Sequence, residues 1–270
     1  MTAADAARPA TAGPPLHHVR EGGGPPLVLL AGLGMDGSAW APVLDRLTPE
    51  RDVWRVDLPG FGGSAALTGE PPGVGALAGA AARFIAATGL GRPHVAGNSL
   101  GGAVALELAR RGSVASATAL SPVGFASALE GEFARLSLLA TYSVSERIRV
   151  HAPPLLRRPR LRRWLYGQMY ARADRLTPAA AYRSMCVMLD GTGFHDTLAT
   201  FHGHRVEGPL AAPATIAWGT RDALLLPTGA LRARRALPGA RHVWLRGCGH
   251  VPMSDDPEQV ARVLLAGSRG

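Results

Sequence analysis

The run Gly97-Asn98-Ser99-Leu100-Gly101-Gly102 constrains this chain more than any other stretch. It follows HVA (94–96), an apolar segment that reads as a buried strand. It opens LGGAVALELARRG (100–112), whose apolar spacing is helical. A serine between a strand and a helix presents its hydroxyl only on a very tight turn. Such a turn crowds the positions two before and two after the serine, and both are glycine here. The N–H of Leu100, at the start of the helix, is then free to face a developing negative charge. The pattern predicts a nucleophilic serine at the C-terminal end of a strand.

Further strands are predicted at PLVLLAG (26–32), DVWRVDLPG (52–60), SATALSP (116–122), ATIAWG (214–219) and RHVWLRG (241–247). His17-His18 begins a candidate edge strand. Helical patterns at 40–47, 75–89, 100–112, 229–237 and 255–267 alternate with them, and Pro257 suits a first helical turn. The expected fold class is α/β: a mostly parallel central sheet with helices on both faces. Residues 124–205 break the rhythm. They carry helical patterns (128–144, 160–174, 178–191) interrupted by Pro153, Pro154 and Pro178, and read as a helical insertion. The expected organisation is a leader at 1–15, a core at 16–123 and 206–270, and the insertion at 124–205.

A nucleophilic serine needs a base, and the base needs an orienting acid. His250 lies in the loop Gly247-Cys248-Gly249-His250, between the last predicted strand and the last helix. Asp222, in Trp218-Gly219-Thr220-Arg221-Asp222, stands just past another strand end. An aspartate there often only caps a helix, but the chain order Ser99, Asp222, His250 matches a serine hydrolase of this layout.

Together the segments LLAGLG (29–34), VDLPGFGGS (56–64), GNSLGG (97–102), WGTRD (218–222) and GCGHVPMSDDPEQV (247–260) make the chain resemble the α/β-hydrolase superfamily over residues 16–123 and 206–270. The resemblance implies a catalytic triad on Ser99, Asp222 and His250. It implies an oxyanion hole from the backbone N–H groups of Leu33 and Leu100, and a helical cap at 124–205 that covers the pocket. It makes Gly32, Met169, Tyr170, Met185 and Met188 candidates for substrate contact. The family usually has His-Gly where this chain has Ala31-Gly32. The serine separates the chain from the branches that use an aspartate nucleophile, and no metal or organic cofactor is implied. The expected activity is hydrolysis of a carboxylic ester, a small-molecule acyl substrate, through an acyl-enzyme. Alternatives are thioester hydrolysis or acyl transfer on a carrier-bound chain, C–C bond hydrolysis of a diketone-type substrate, and a slow-turnover ligand receptor. AGLGMDG fits the glycine-rich loop of the C–C branch poorly.

Charge bears on the partner. The formal net charge is +9, and all 29 basic residues are arginine. Nine arginines against one acid, Asp174, fall within 147–175, so that window carries +8 and the rest is nearly neutral. A solvated helical face and a docking patch for an acidic substrate, an acidic carrier protein or an anionic surface both fit. No zinc finger, RNA-binding strand or basic zipper accompanies the cluster, so nucleic acid is not an expected partner. No run of about 18 apolar residues predicts a membrane span. Two cysteines in a chain this long make no disulfide framework. The segment MTAADAARPATAGPP has neither a basic nor an apolar region of a signal peptide, so a cytoplasmic protein is expected. His202-Gly203-His204 has no third metal ligand nearby in sequence and reads as a surface loop or a hinge of the insertion. Cys248 has no base of its own.

Overall fold

The computed structural model describes residues 15–269, so most of the predicted leader lies outside the described residues. Seven strands form one sheet: β1 (His18–Gly22), β2 (Pro26–Leu30), β3 (Asp52–Val56), β4 (His94–Asn98), β5 (Ser116–Leu120), β6 (Ala214–Gly219) and β7 (Arg241–Leu245). The order is β1-β3-β2-β4-β5-β6-β7. Only β1, the edge strand, pairs antiparallel, with β3; the other pairings are parallel. The sheet is buried on both faces because its strands are apolar on both. Leu27 and Leu29 of β2 face one core cluster and Val28 and Leu30 the other. That two-sided burial is what a helix-covered parallel sheet needs.

Eleven helices are described: α1 (Leu44–Leu47), α2 (Val74–Ala87), α3 (Leu100–Arg110), α4 (Ala128–Ile148), α5 (Ala152–Leu155), α6 (Pro159–Tyr166), α7 (Pro178–Asp190), α8 (Phe194–Ala199), α9 (Thr228–Ala236), α10 (Pro252–Asp255) and α11 (Pro257–Gly267). The helix expected at 40–47 is instead a 3-10 segment, Gly37–Val43, running into α1. Pro42 lies inside that segment and has no N–H for an α-helical ladder. Among the described residues no helix is long and apolar enough to cross a membrane.

The connection between β5 and β6 is helical, α4 to α8. Ser127 starts α4 with a capping box: its Oγ accepts from Glu130 N–H at 3.3 Å, and Glu130 Oε2 accepts from Ser127 N–H at 2.7 Å. Glu130 also binds Thr228 Oγ1 (2.6 Å) and Arg232, which anchors the start of α4 to α9. The single helix expected over 160–174 does not form. The backbone leaves α6 at Gly167, and long-range partners hold it there. Asp255 accepts from the N–H groups of Ala171 (3.0 Å) and Arg172 (2.9 Å), and Val251 N–H donates to Met169 O (2.8 Å).

The arginine-rich stretch is not uniform. Arg162 is only 6% exposed and donates to Leu156 O (2.6 Å) and Asp174 O (2.8 Å). Arg149 pairs with Asp190 and Arg163 with Asp174. Arg147, Arg157, Arg158, Arg160, Arg172 and Arg175 are exposed, with no acidic partner among the described residues.

Candidate active site

Ser99 follows β4, Asp222 follows β6 and His250 follows β7, so all three stand at the C-terminal edge of the parallel sheet. Open α/β sheets bind their ligands at that edge. Ser99 sits at φ 55°, ψ −113°, in the left-handed region that a residue with a Cβ adopts only when its surroundings impose it. The surroundings are two glycines. A Cβ on Gly97 would run into the Gly101 backbone, and a Cβ on Gly101 would overlap the carbonyls of Leu30 and Ala31. Ser99 N–H donates to Leu120 O (2.9 Å), and Ser99 O accepts from Ala103 N–H (3.1 Å) at the start of α3.

His250 Nδ1 lies 2.9 Å from Asp222 Oδ2, and both side chains are buried. Asp222 Oδ1 accepts from the N–H groups of Leu224 (3.0 Å) and Leu225 (2.8 Å), which fixes the carboxylate plane. A carboxylate only accepts, so the proton between them belongs to Nδ1. Asn98 ties this loop to the serine turn: its Nδ2 donates to His250 O (2.9 Å) and Leu120 O (3.1 Å). The two loops also need close backbone approach. A Cβ on Gly219 would lie 2.6 Å from Cys248 O.

Gly32 packs on Ser99: a Cβ there would lie 3.3 Å from Ser99 Cβ and 3.4 Å from Met35 Sδ. Leu33 follows it in the turn closed by Met35 N–H to Gly32 O (3.2 Å). Asp57, from VDLPGFGGS, braces this region by accepting from Gly37 N–H (2.7 Å) and Gly63 N–H (2.9 Å).

Ser99 lies in the wall of a cavity of about 360 Å³. Its walls are largely apolar, including Val123, Leu138, Leu198, Phe201, Leu224 and Leu225, with Glu132, Arg135, His202, His204 and Arg205 among the polar members. None of the methionines and tyrosines singled out from the sequence lines it. Met169, Tyr170 and Met188 line a second cavity of about 470 Å³, together with Leu33, Met35 and Tyr166. Leu138 lines both. Met185 lines neither; it is fully buried in the core. Sequence reasoning missed Leu224 and Leu225, although they lie only two and three residues past Asp222. It also set aside His202-Gly203-His204, which the fold places in the wall of the Ser99 cavity.

Burial holds the His204 imidazole below its ordinary pKa, so it sits there uncharged at neutral pH. Burial, with Asp255 and Asp256 adding to it, pushes the Cys248 thiol up to about 12, and burial pushes the Tyr170 hydroxyl up to about 12. Neither group is a nucleophile at neutral pH. Among the described residues no three His, Cys, Asp or Glu side chains gather as a metal site.

The sequence model of the alpha/beta hydrolase family matches residues 27–263. A pimeloyl-[acyl-carrier protein] methyl ester esterase of Aeromonas hydrophila is 30% identical over 268 residues, covering 91% of this chain and 96% of that protein. The dihydrolipoyllysine-residue acetyltransferase component of the acetoin cleaving system of Pseudomonas putida is 28% identical over 251 residues, covering 90% of this chain. The chain spans 63% of the length of that relative, and 32% of its Cupriavidus necator counterpart. Among solved structures, a membrane phospholipase A superposes with TM-score 0.73 at 27% identity, covering 94% of this chain and 83% of that one. The enol-lactonase of Burkholderia xenovorans shares the fold, with TM-score 0.74 at 20% identity over 93% of this chain and 95% of that one.

Proposed function

The chain belongs to the alpha/beta hydrolase family, and from that premise we propose that Ser99, His250 and Asp222 form the triad of a serine esterase that works through an acyl-enzyme. His250 Nε2 takes the Ser99 proton as Oγ attacks the ester carbonyl carbon. Asp222 holds the imidazole in the Nδ1–H tautomer and stabilises its cation. The negative charge that develops on the carbonyl oxygen meets the N–H groups of Leu100 and Leu33, each worth about 10²- to 10³-fold in rate. The alcohol leaves with the proton from His250. Water then attacks the acyl-enzyme by the same route, His250 taking its proton and returning it to Ser99, and the acid is released. The left-handed Ser99, two residues from each of two glycines that admit no Cβ, carries this reading, because backbone strain of this kind persists chiefly where a functional site needs it. On this reading residues 124–205 are the cap: α4 closes the Ser99 cavity through Ala128, Gly131 and Leu138.

Acyl transfer or thioester cleavage on a carrier-bound chain is the second reading. Similarity to a dihydrolipoyllysine-residue acetyltransferase component supports acyl transfer, and similarity to a pimeloyl-[acyl-carrier protein] methyl ester esterase supports a carrier-bound substrate; at Ser99 either chemistry would run through the same acyl-enzyme. The test is Ser99→Ala against p-nitrophenyl esters and acyl thioesters. Loss of both activities with unchanged thermal stability supports the nucleophile, and retained activity removes it. The better of the two parent substrates decides between the readings.

A further inference from the structure

Leu129, Phe133 and Leu136 of α4 are 85%, 54% and 53% exposed. At 100° per residue these three, with Ala140, Ser143 and Arg147 further along, fall within one stripe about 80° wide. Val150, just past the end of α4, and Trp164 of α6 are exposed as well. A water-facing helix has no use for such a row of large apolar side chains, and contiguous exposed apolar surface marks a contact site. The stripe borders the candidate site: Ala128, Glu132 and Arg135 lie along its flank and line the Ser99 cavity.

Charge identifies what covers it. The stripe ends at Arg147, and the chain that follows exposes Arg157, Arg158, Arg160, Arg172 and Arg175, none with an acidic partner among the described residues. Trp164 stands one helical turn from Arg160, on the same face of α6. A second copy of the chain would bring like charges together. An acidic protein would satisfy the arginines but cover Leu129, Phe133 and Leu136 only if it also carried a matching apolar patch at the right spacing. An anionic lipid surface satisfies both: apolar side chains enter the acyl boundary while guanidinium groups stay with the phosphates.

We propose that the Leu129–Phe133–Leu136 stripe and the unpaired arginines of the same segment seat the protein on an anionic membrane surface, with the Ser99 cavity beside the contact. This goes beyond the esterase reading and does not depend on Ser99.

Vesicle flotation tests it with phosphatidylcholine alone and with added phosphatidylglycerol. The parent protein and Ser99→Ala float with the anionic vesicles and are released by high salt. The triple variant Leu129→Gln/Phe133→Gln/Leu136→Gln, and separately the variant Arg147→Gln/Arg157→Gln/Arg158→Gln/Arg160→Gln, each lose partitioning by more than about tenfold. Both keep hydrolysis of a water-soluble ester, since none of these residues lines the cavity. The proposal is overturned if the parent ignores anionic vesicles, if the triple variant floats as the parent does, if light scattering shows a dimer that the triple variant dissociates, or if an acidic acyl carrier protein binds the parent while vesicles do not.

Discussion

At Gly97 and Gly101 a single added carbon would strike backbone, whereas Arg157, Arg158 and Arg160 end in solvent without an acidic partner among the described residues. The two places represent the two halves of the molecule. The sheet edge that carries Ser99, Asp222 and His250 is nearly neutral, buried, and held by backbone hydrogen bonds from several strands. The helical connection from α4 to α8 holds most of the net charge and several of the exposed large apolar side chains. Steric necessity determines the first, because a strained serine persists only where its neighbours over-determine it. Few packing or pairing contacts constrain the exposed side chains of the second, so its surface can change without loss of the fold.

Substitutions sharpen this contrast. In the sheet-borne half, Asp222→Asn preserves shape but favours the wrong imidazole tautomer, and ester turnover is expected to fall about 10⁴-fold. A loss below tenfold in kcat would leave Asp222 as a structural residue of its loop. Gly97→Ala places a Cβ against the Gly101 backbone, so unfolding free energy is expected to fall by about 3 kcal/mol or more, with activity lost alongside. A stable, active Gly97→Ala would show that the turn has slack. Within the helical half, Arg162→Gln withdraws donors from two carbonyls, one of them buried, and is expected to cost about 1–3 kcal/mol in chemical denaturation. The exposed neighbour Arg160→Gln is expected to stay within about 0.5 kcal/mol. Equal costs would erase the distinction between the structural and the free arginines.

The sequence shows these halves unequally. Strand identity, sheet class and the edge position of Ser99, Asp222 and His250 were legible because they follow from local rules: glycine where a Cβ cannot fit, and a side chain just past a strand end. The lining of the cavity was not. Met169 and Tyr170 face the second cavity because the chain between α6 and α7 is placed by Asp255 and Val251, far away in sequence, while on α7 Met188 faces that cavity and Met185 the core. The break at Gly167 has the same long-range cause. Arg162 reads from the sequence as one more surface charge, and its buried contacts appear only once residues 156 and 174 have folded around it.

Labelling with a fluorophosphonate probe, followed by peptide mapping, tests the central claim most directly. It traps whichever hydroxyl the site activates. One adduct per chain is expected, on Ser99, lost in Ser99→Ala and strongly slowed in His250→Ala. An adduct on any other residue, or no adduct on a folded protein that still cleaves esters, would contradict it.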